Sequence, residues 1–231
     1  MMGIQKFVLT AFQQNTRVVS CDSTRKAICI DPGEASDELI DHIRSNELEL
    51  QAIALTHGHL DHVGGTAALS RAFPDAEIML HSGDEEYYYG LPRQPLFMGI
   101  SPEQMKALGM DYEPPPELTR SWDHGEIYEL GELRFSVRHC PGHTSGHVVL
   151  AEESQKAVFV GDCLFAGSIG RTDLPGGDHD QLLESITNNI LSLGDDFTVY
   201  SGHGPETTVG KERVSNPFLN GTYQISRGRF V

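Results

Sequence analysis

The stretch THGHLDH, residues 56–62, carries His57, His59, Asp61 and His62. His57 and His59 are two positions apart, so in extended chain their rings project to the same side. Asp61 and His62 follow as the chain turns into a helix at Val63, and they address a neighbouring point. This differs from the HExxH pattern, in which two histidines four apart on a helix bind zinc and the glutamate is not a ligand. Here a strand over Ala52–Leu55 ends, and the ligand-type side chains stand on the loop beyond it.

Three other stretches repeat that placement. His143 follows a strand over Leu133–Arg138 in HCPGH, Asp162 follows Ala157–Val160 in VFVGD, and His203 follows Phe197–Tyr200 in VYSGH. Each has a glycine beside it that permits a tight turn. If these strand ends are neighbours, seven candidate ligands converge: His57, His59, Asp61, His62, His143, Asp162 and His203. That exceeds the needs of one tetrahedral zinc. It suits two divalent ions, with His57, His59 and His143 on one, Asp61, His62 and His203 on the other, and an oxygen of Asp162 to each. A histidine–carboxylate set without cysteine suits zinc, iron or manganese. A lone buried histidine is usually a hydrogen-bonded core residue; the clustering is what favours metal.

Further strands are expected over Phe7–Phe12, Thr16–Cys21, Ala27–Ile30, Glu77–Leu80 and His147–Leu150, from apolar, β-branched runs flanked by turn residues. Helical patterns cover Ala35–Ser45, Val63–Phe73 and Gln181–Leu193, the last preceded by Asp178 and Asp180 as caps. Strands arranged as meanders and then alternating with helices, in both halves, predict an α/β chain built as a two-sheet sandwich flanked by helices. One domain over residues 1–231 is expected, interrupted by a proline-rich excursion at 91–120 with a short helix near Glu103–Leu108. Its apolar residues Leu96, Phe97, Met98 and Ile100 fit either a wall over a binding site or a surface insertion with its own small cluster.

The chain carries 33 acidic against 17 basic residues, a formal net charge of −16, which repels phosphate backbones and argues against nucleic-acid partners. An anionic substrate then needs a local positive site. No apolar run reaches the length of a membrane span, and the opening apolar run is too short for a signal peptide. Cys21, Cys29, Cys140 and Cys163 form no CxxC pair and read as reduced, buried thiols, so a cytoplasmic protein is expected. Oligomeric state is left open. His42 and His124 read as solvated, His81 and His179 as surface residues, and His139 as a strand position alternating with Val137. His147 reads as a structural hydrogen-bonding residue or a support behind the ligands, and Cys163 as a packing residue.

Taken in order, His57-Gly-His59-Leu-Asp61-His62 with His143, Asp162 and His203 resembles the metallo-β-lactamase superfamily. The resemblance implies a four-layer αββα sandwich with a dinuclear site at one edge. The segment GDCLFAGSIGRTDLPGGD (161–178) and the ending GHGPETTVGKERVSNPFL (202–219) are similar to the small, single-domain relatives of glyoxalase II, the hydroxyacylglutathione hydrolases. That implies a zinc-dependent thioesterase cleaving S-D-lactoylglutathione by a metal-bound hydroxide, with no other catalytic residue. Arg171 stands where the family carries a lysine or arginine that holds glutathione, and Lys211 and Arg213 are weaker candidates; pairing with Asp173 is the structural alternative for Arg171. The C-terminal helical domain of full-length enzymes, which adds glutathione contacts, is expected to be missing. The resemblance extends to persulfide dioxygenases, which bind one iron through two histidines and an aspartate; His57, His143 and Asp162 would form that triad. Lactonase and β-lactamase activity are weaker expectations.

Overall fold

The computed structural model describes residues 1–97, 99–109 and 112–222. Two six-stranded sheets lie face to face. The first contains β1 (Met2–Leu9), β2 (Gln14–Cys21), β3 (Lys26–Ile30), β4 (Glu49–Ala54), β5 (Glu77–Leu80) and β6 (Arg120–Ser121) in that spatial order. Its first three strands run antiparallel, and β3 to β6 are parallel. The second has the order β14-β13-β10-β9-β8-β7, from β7 (Ile127–Leu130), β8 (Leu133–His139), β9 (Val148–Glu152), β10 (Ala157–Gly161), β13 (Thr198–Ser201) and β14 (Thr207–Thr208). A small hairpin of β11 (Leu164–Phe165) and β12 (Ser168–Ile169) projects from it.

Central strands are apolar on both faces, as covered sheets require. In β3, Ile28 and Ile30 face the inter-sheet core while Ala27 and Cys29 face the outer helical layer. In β10, Ala157 and Phe159 point inward and Val158 and Val160 outward. The first sheet's outer layer is formed by α1 (Asp37–Ser45), α2 (Leu60–Val63) and α3 (Thr66–Ala72), continued by α4 (Glu85–Tyr89), α5 (Gln94–Phe97) and α6 (Pro102–Ala107). The second sheet's outer layer is α7 (His179–Asn189) and α8 (Val209–Ser215). The result is the expected αββα sandwich. No helix among the described residues is long and apolar enough to cross a membrane.

Most element boundaries shift by one to three residues from the sequence reading, and three shifts have a clear local cause. The first strand spans Met2–Leu9 rather than Phe7–Phe12, because Thr10 and Gln13 take left-handed φ values of 63° and 56° and close a hairpin turn. Phe12 therefore sits on a loop tip. The helix expected over Val63–Phe73 starts at Leu60 and divides at Gly64 and Gly65. A Cβ on Gly65 would lie 2.3 Å from the Glu34 carbonyl oxygen, so only glycine permits that approach. The helix expected over Gln181–Leu193 starts at His179, capped by the Asp178 carboxylate, and ends at Asn189.

The 91–120 excursion packs onto the first sheet's outer core and forms no separate cluster among the described residues, and Leu96 is exposed. Leu91 and Met105 are buried in the outer core with Ile100 and Leu118 against them, and Gln94 reaches the functional site. Its helix starts at Pro102, where Ser101 and Gln104 form a reciprocal capping box. Met98 lies outside the described residues.

Candidate metal centre

The strand ends named by the sequence meet at one edge of the sandwich. His57 and His59 leave β4, His143 follows β8, Asp162 follows β10 and His203 follows β13, while Asp61 and His62 occupy the first turn of α2. Ligand-type atoms of His57, His59 and His143 lie within 4.8 Å of one another, and so do those of Asp61, His62 and His203. His59 Nδ1 is 2.9 Å from His143 Nε2. Asp162 stands between the sets: its Oδ1 is 3.3 Å from His62 Nε2, and its Oδ2 is 3.8 Å from His143 Nε2 and 3.6 Å from His203 Nε2. Asp61 Oδ2 lies 3.2 Å from His203 Nε2. The approach is tight enough that a Cβ on Gly202 would fall 2.3 Å from Asp162 Oδ1.

Behind these side chains a layer of acceptors fixes the tautomers. His62 Nδ1 donates to Asp31 Oδ2 at 2.9 Å, and His143 Nδ1 donates to the Arg171 carbonyl at 2.8 Å. His203 Nδ1 donates to the Phe12 carbonyl at 3.1 Å. The Thr56 hydroxyl donates to Asp31 Oδ2 and so can only accept from His57 Nδ1. Each arrangement turns Nε2 toward the site, where a metal would take its lone pair.

The donor set fits a cation on its own evidence. The Nε2 atoms of His57, His59 and His62 and Oδ1 of Asp162 are buried without a hydrogen-bond partner. Orphaned polar atoms of that kind are costly unless something coordinates them. Asp31, which also lies near His57 and His62, already accepts from the Thr56 amide and hydroxyl and from His62.

Electrostatics separates the two sets. Burial, reinforced by neighbouring histidines, lowers His57 well below the usual imidazole range and takes His59 down to about 3. Burial also lowers His143. Burial would lower His62 too, but Asp162, Asp61 and Asp31 outweigh it and raise the group well above its ordinary value. His203 is raised against its burial by the bond to Asp61. Asp162 is held far below the carboxylate range, its burial overcome by His62, His203 and His143.

The depressed histidines carry a pH consequence for metal-free protein. Their folded pKa values lie below the unfolded value of about 6.5, so the unfolded chain binds more protons as pH falls through that window, and stability is lost. His62 and His203, raised in the fold, contribute fully below about pH 6.5 and do not oppose the loss. Thermal unfolding in chelator is therefore expected to show a falling Tm from about pH 6.5 to about pH 4. A Tm that stays level or rises would show that these imidazoles are not held neutral.

Two buried groups absent from the sequence reading hold the ligand loops. Asp84 accepts from the Gly58 amide at 2.9 Å, the Thr144 hydroxyl at 2.6 Å and the Gly146 amide at 2.6 Å, joining the loop of His57 and His59 to that of His143. Gln94 accepts from the Leu60 amide and donates to the Gly58 and Tyr87 carbonyls. Asp31 was visible in principle, because Asp31-Pro32-Gly33 directly after β3 repeats the strand-end pattern of the other ligands. Nothing local distinguishes Asp84 within Ser82-Gly83-Asp84-Glu85-Glu86.

Of the remaining histidines, His147 stacks on His57 with centroids 4.8 Å apart, and its Nε2 accepts from the Asp162 amide. His81 stacks on His139 at 4.2 Å, away from the ligands. All four cysteines are free and buried.

A cavity of about 280 Å³ opens over the site, with Phe12, His59, Asp61, Tyr87, Arg171 and His203 among its lining residues. Tyr87 stands edge-on to His59, and its hydroxyl donates to the Pro175 carbonyl. Arg171 lines the cavity but is held by a two-pronged ion pair to Asp173, at 2.8 Å for each contact. Lys211 lies exposed on α8 and is not among the cavity's lining residues. Arg213 is bound to Asp195 and the Leu191 carbonyl.

An αββα sandwich with a buried histidine–aspartate cluster at one edge defines a metallo-hydrolase. The chain belongs to the metallo-β-lactamase superfamily, whose sequence profile matches residues 9–203. It is similar to the hydroxyacylglutathione hydrolase GloC of Haemophilus influenzae, with 40% identity over 95% of this chain and 99% of that protein. Among solved structures it is similar to the B3 metallo-β-lactamase BLEG-1, at 35% identity and a TM-score of 0.82, covering 95% of this chain and all (100%) of that one. It is also similar to TTHA1623 in a di-iron-bound form, at 36% identity and a TM-score of 0.79, covering 93% of this chain and 100% of that one.

Proposed function

We propose that the protein is a dinuclear thioesterase that hydrolyses glutathione thioesters such as S-D-lactoylglutathione. The observation that carries this reading is that both ligand sets are assembled with Asp162 between them. His57, His59 and His143 would hold one ion, and Asp61, His62 and His203 the other, zinc being the ion proposed. When bound, such a pair supplies Lewis acidity and brings the pKa of water toward neutrality.

The chain's own residues do the positioning. Asp61 and Asp162 remain ionised and offer acceptor oxygens that orient the attacking water. One proton of the water passes to solvent as its oxygen joins the acyl carbon, the carbon–sulfur bond breaks, and the sulfur leaves as thiolate. A thiol pKa of about 8.5 lets it depart without a dedicated acid. A β-lactam nitrogen needs a proton as it leaves, whereas the Tyr87 hydroxyl is already committed to Pro175; this favours the thioester despite the likeness to BLEG-1. A mononuclear dioxygenase would use only His57, His143 and Asp162, leaving the assembled second set without a role. The test is parallel assay: thiol release from S-D-lactoylglutathione supports the proposal, whereas oxygen consumption on glutathione persulfide without thiol release refutes it.

Arg171 is proposed to contribute only modestly to substrate binding, because its charge is balanced by Asp173. Arg171→Ala is expected to raise KM about threefold with little change in kcat, the size of an exposed ionic contact. A loss of about a hundredfold in kcat/KM would instead make Arg171 a main anchor.

A further inference from the structure

A second cavity, of about 390 Å³, adjoins the first and shares Tyr87, Gln94 and Pro175 with it. The Tyr87–Pro175 hydrogen bond therefore lies along the boundary between the two. Two charged side chains line this second space, Arg93 and Glu86. Among the described residues neither makes an ion pair or a side-chain hydrogen bond. Other arginines are engaged, Arg171 by Asp173, Arg213 by Asp195 and Arg17 by Glu206.

In a chain of net charge −16, an unpaired arginine facing a cavity beside the site is a local positive point that an anionic substrate requires. The backbone that carries it is fixed. Leu91 and Gln94, on either side, are both buried, and the Arg93 amide donates to the Gly90 carbonyl at 2.8 Å. Glu86 is set in α4 between exposed Glu85 and the site residue Tyr87, with buried Tyr88 anchoring the helix.

We propose that this second cavity seats the zwitterionic γ-glutamyl end of the glutathione leaving group, with Arg93 on its α-carboxylate and Glu86 on its α-ammonium. The inference rests on the thioesterase reading and adds to it where specificity for the thiol comes from. Sulfur lies in the middle of the tripeptide. With the thioester carbonyl beside the histidines, one arm must leave the first cavity, and the shared Tyr87–Pro175 wall leads it to a cation and an anion that are not paired with each other. A guanidinium matches a carboxylate through paired donors. Arg171 then serves as a lesser contact and Arg93 as a principal one.

The test compares S-D-lactoylglutathione with S-D-lactoyl-N-acetylcysteamine, which has the same acyl group and no charged arm. The readout is the ratio of kcat/KM for the two thioesters. Arg93→Ala and Glu86→Gln are each expected to lower that ratio about tenfold, the worth of one charge-assisted hydrogen bond, entering through KM. Arg93→Lys keeps the charge without the paired donors and should restore only part of it. Because the ratio is internal to each variant, loss of folded protein does not mimic the effect. If wild-type protein cleaves both thioesters equally well, or if the ratio is indifferent to both substitutions, the subsite is refuted while the hydrolase reading stands. Wild-type protein inert to both thioesters removes that reading, and the subsite with it.

Discussion

Asp162→Ala is expected to lower thioester hydrolysis about 10³-fold, since the charge stabilisation it organises is worth several kcal/mol. Asp162 stands within 3.3–3.8 Å of His62, His143 and His203, drawn from both ligand sets. Its removal leaves the two sets without a shared carboxylate. Bound metal should fall below two ions per chain, with the His57, His59 and His143 set, which lacks any other carboxylate, keeping its three imidazoles. Metal analysis together with kcat/KM reads both consequences. A variant that keeps two ions and near wild-type turnover would show that Asp162 does not link the sets. Asp162→Asn keeps the shape and one acceptor oxygen, so its loss should fall between wild type and alanine.

The second large effect is on stability. Asp84 is buried and accepts three hydrogen bonds from the two loops that carry His57, His59 and His143. Asp84→Ala leaves the Gly58 and Gly146 amides and the Thr144 hydroxyl without their acceptor. Leaving three buried donors without an acceptor costs about 3–5 kcal/mol. For a chain of this size that corresponds to a Tm lower by about 10 °C. Affinity for the first ion should also weaken about 10–100-fold, the usual penalty for losing a support behind the ligands. Thermal unfolding of metal-free protein separates the structural cost from the metal cost. An unchanged Tm there would mean the loops are held by other contacts.

How much of this was legible in the sequence depends on where the information lies. The candidate ligands announce themselves by residue type, since His57, His59, Asp61 and His62 carry their chemistry wherever the chain places them. The strands carrying them are legible because β4 and β10 are apolar on both faces, while β8 alternates Leu133, Phe135 and Val137 with Arg134, Ser136 and Arg138. Hairpin and helix boundaries were less visible. The left-handed turn at Thr10 and Gln13 uses residues that give no glycine signal, and the break at Gly65 depends on contact with the distant Glu34 carbonyl. Asp84 reaches partners 26, 60 and 62 positions away, a relation that no local pattern encodes. The same holds for Gln94, whose place in a proline-rich excursion gives no sign that it braces the metal-binding loop. Arg171 illustrates the converse: its position matches the family pattern and also allows a pair with Asp173, and the fold shows Asp173 holding its guanidinium.

On the proposed mechanism, thioester cleavage needs both ligand sets filled. Titrating metal-free protein with zinc while following thiol release from S-D-lactoylglutathione tests it most directly. Activity should stay low up to about one ion per chain and rise to its plateau as the second binds. Full activity with a single ion per chain, or no thiol release at any loading, would contradict the account.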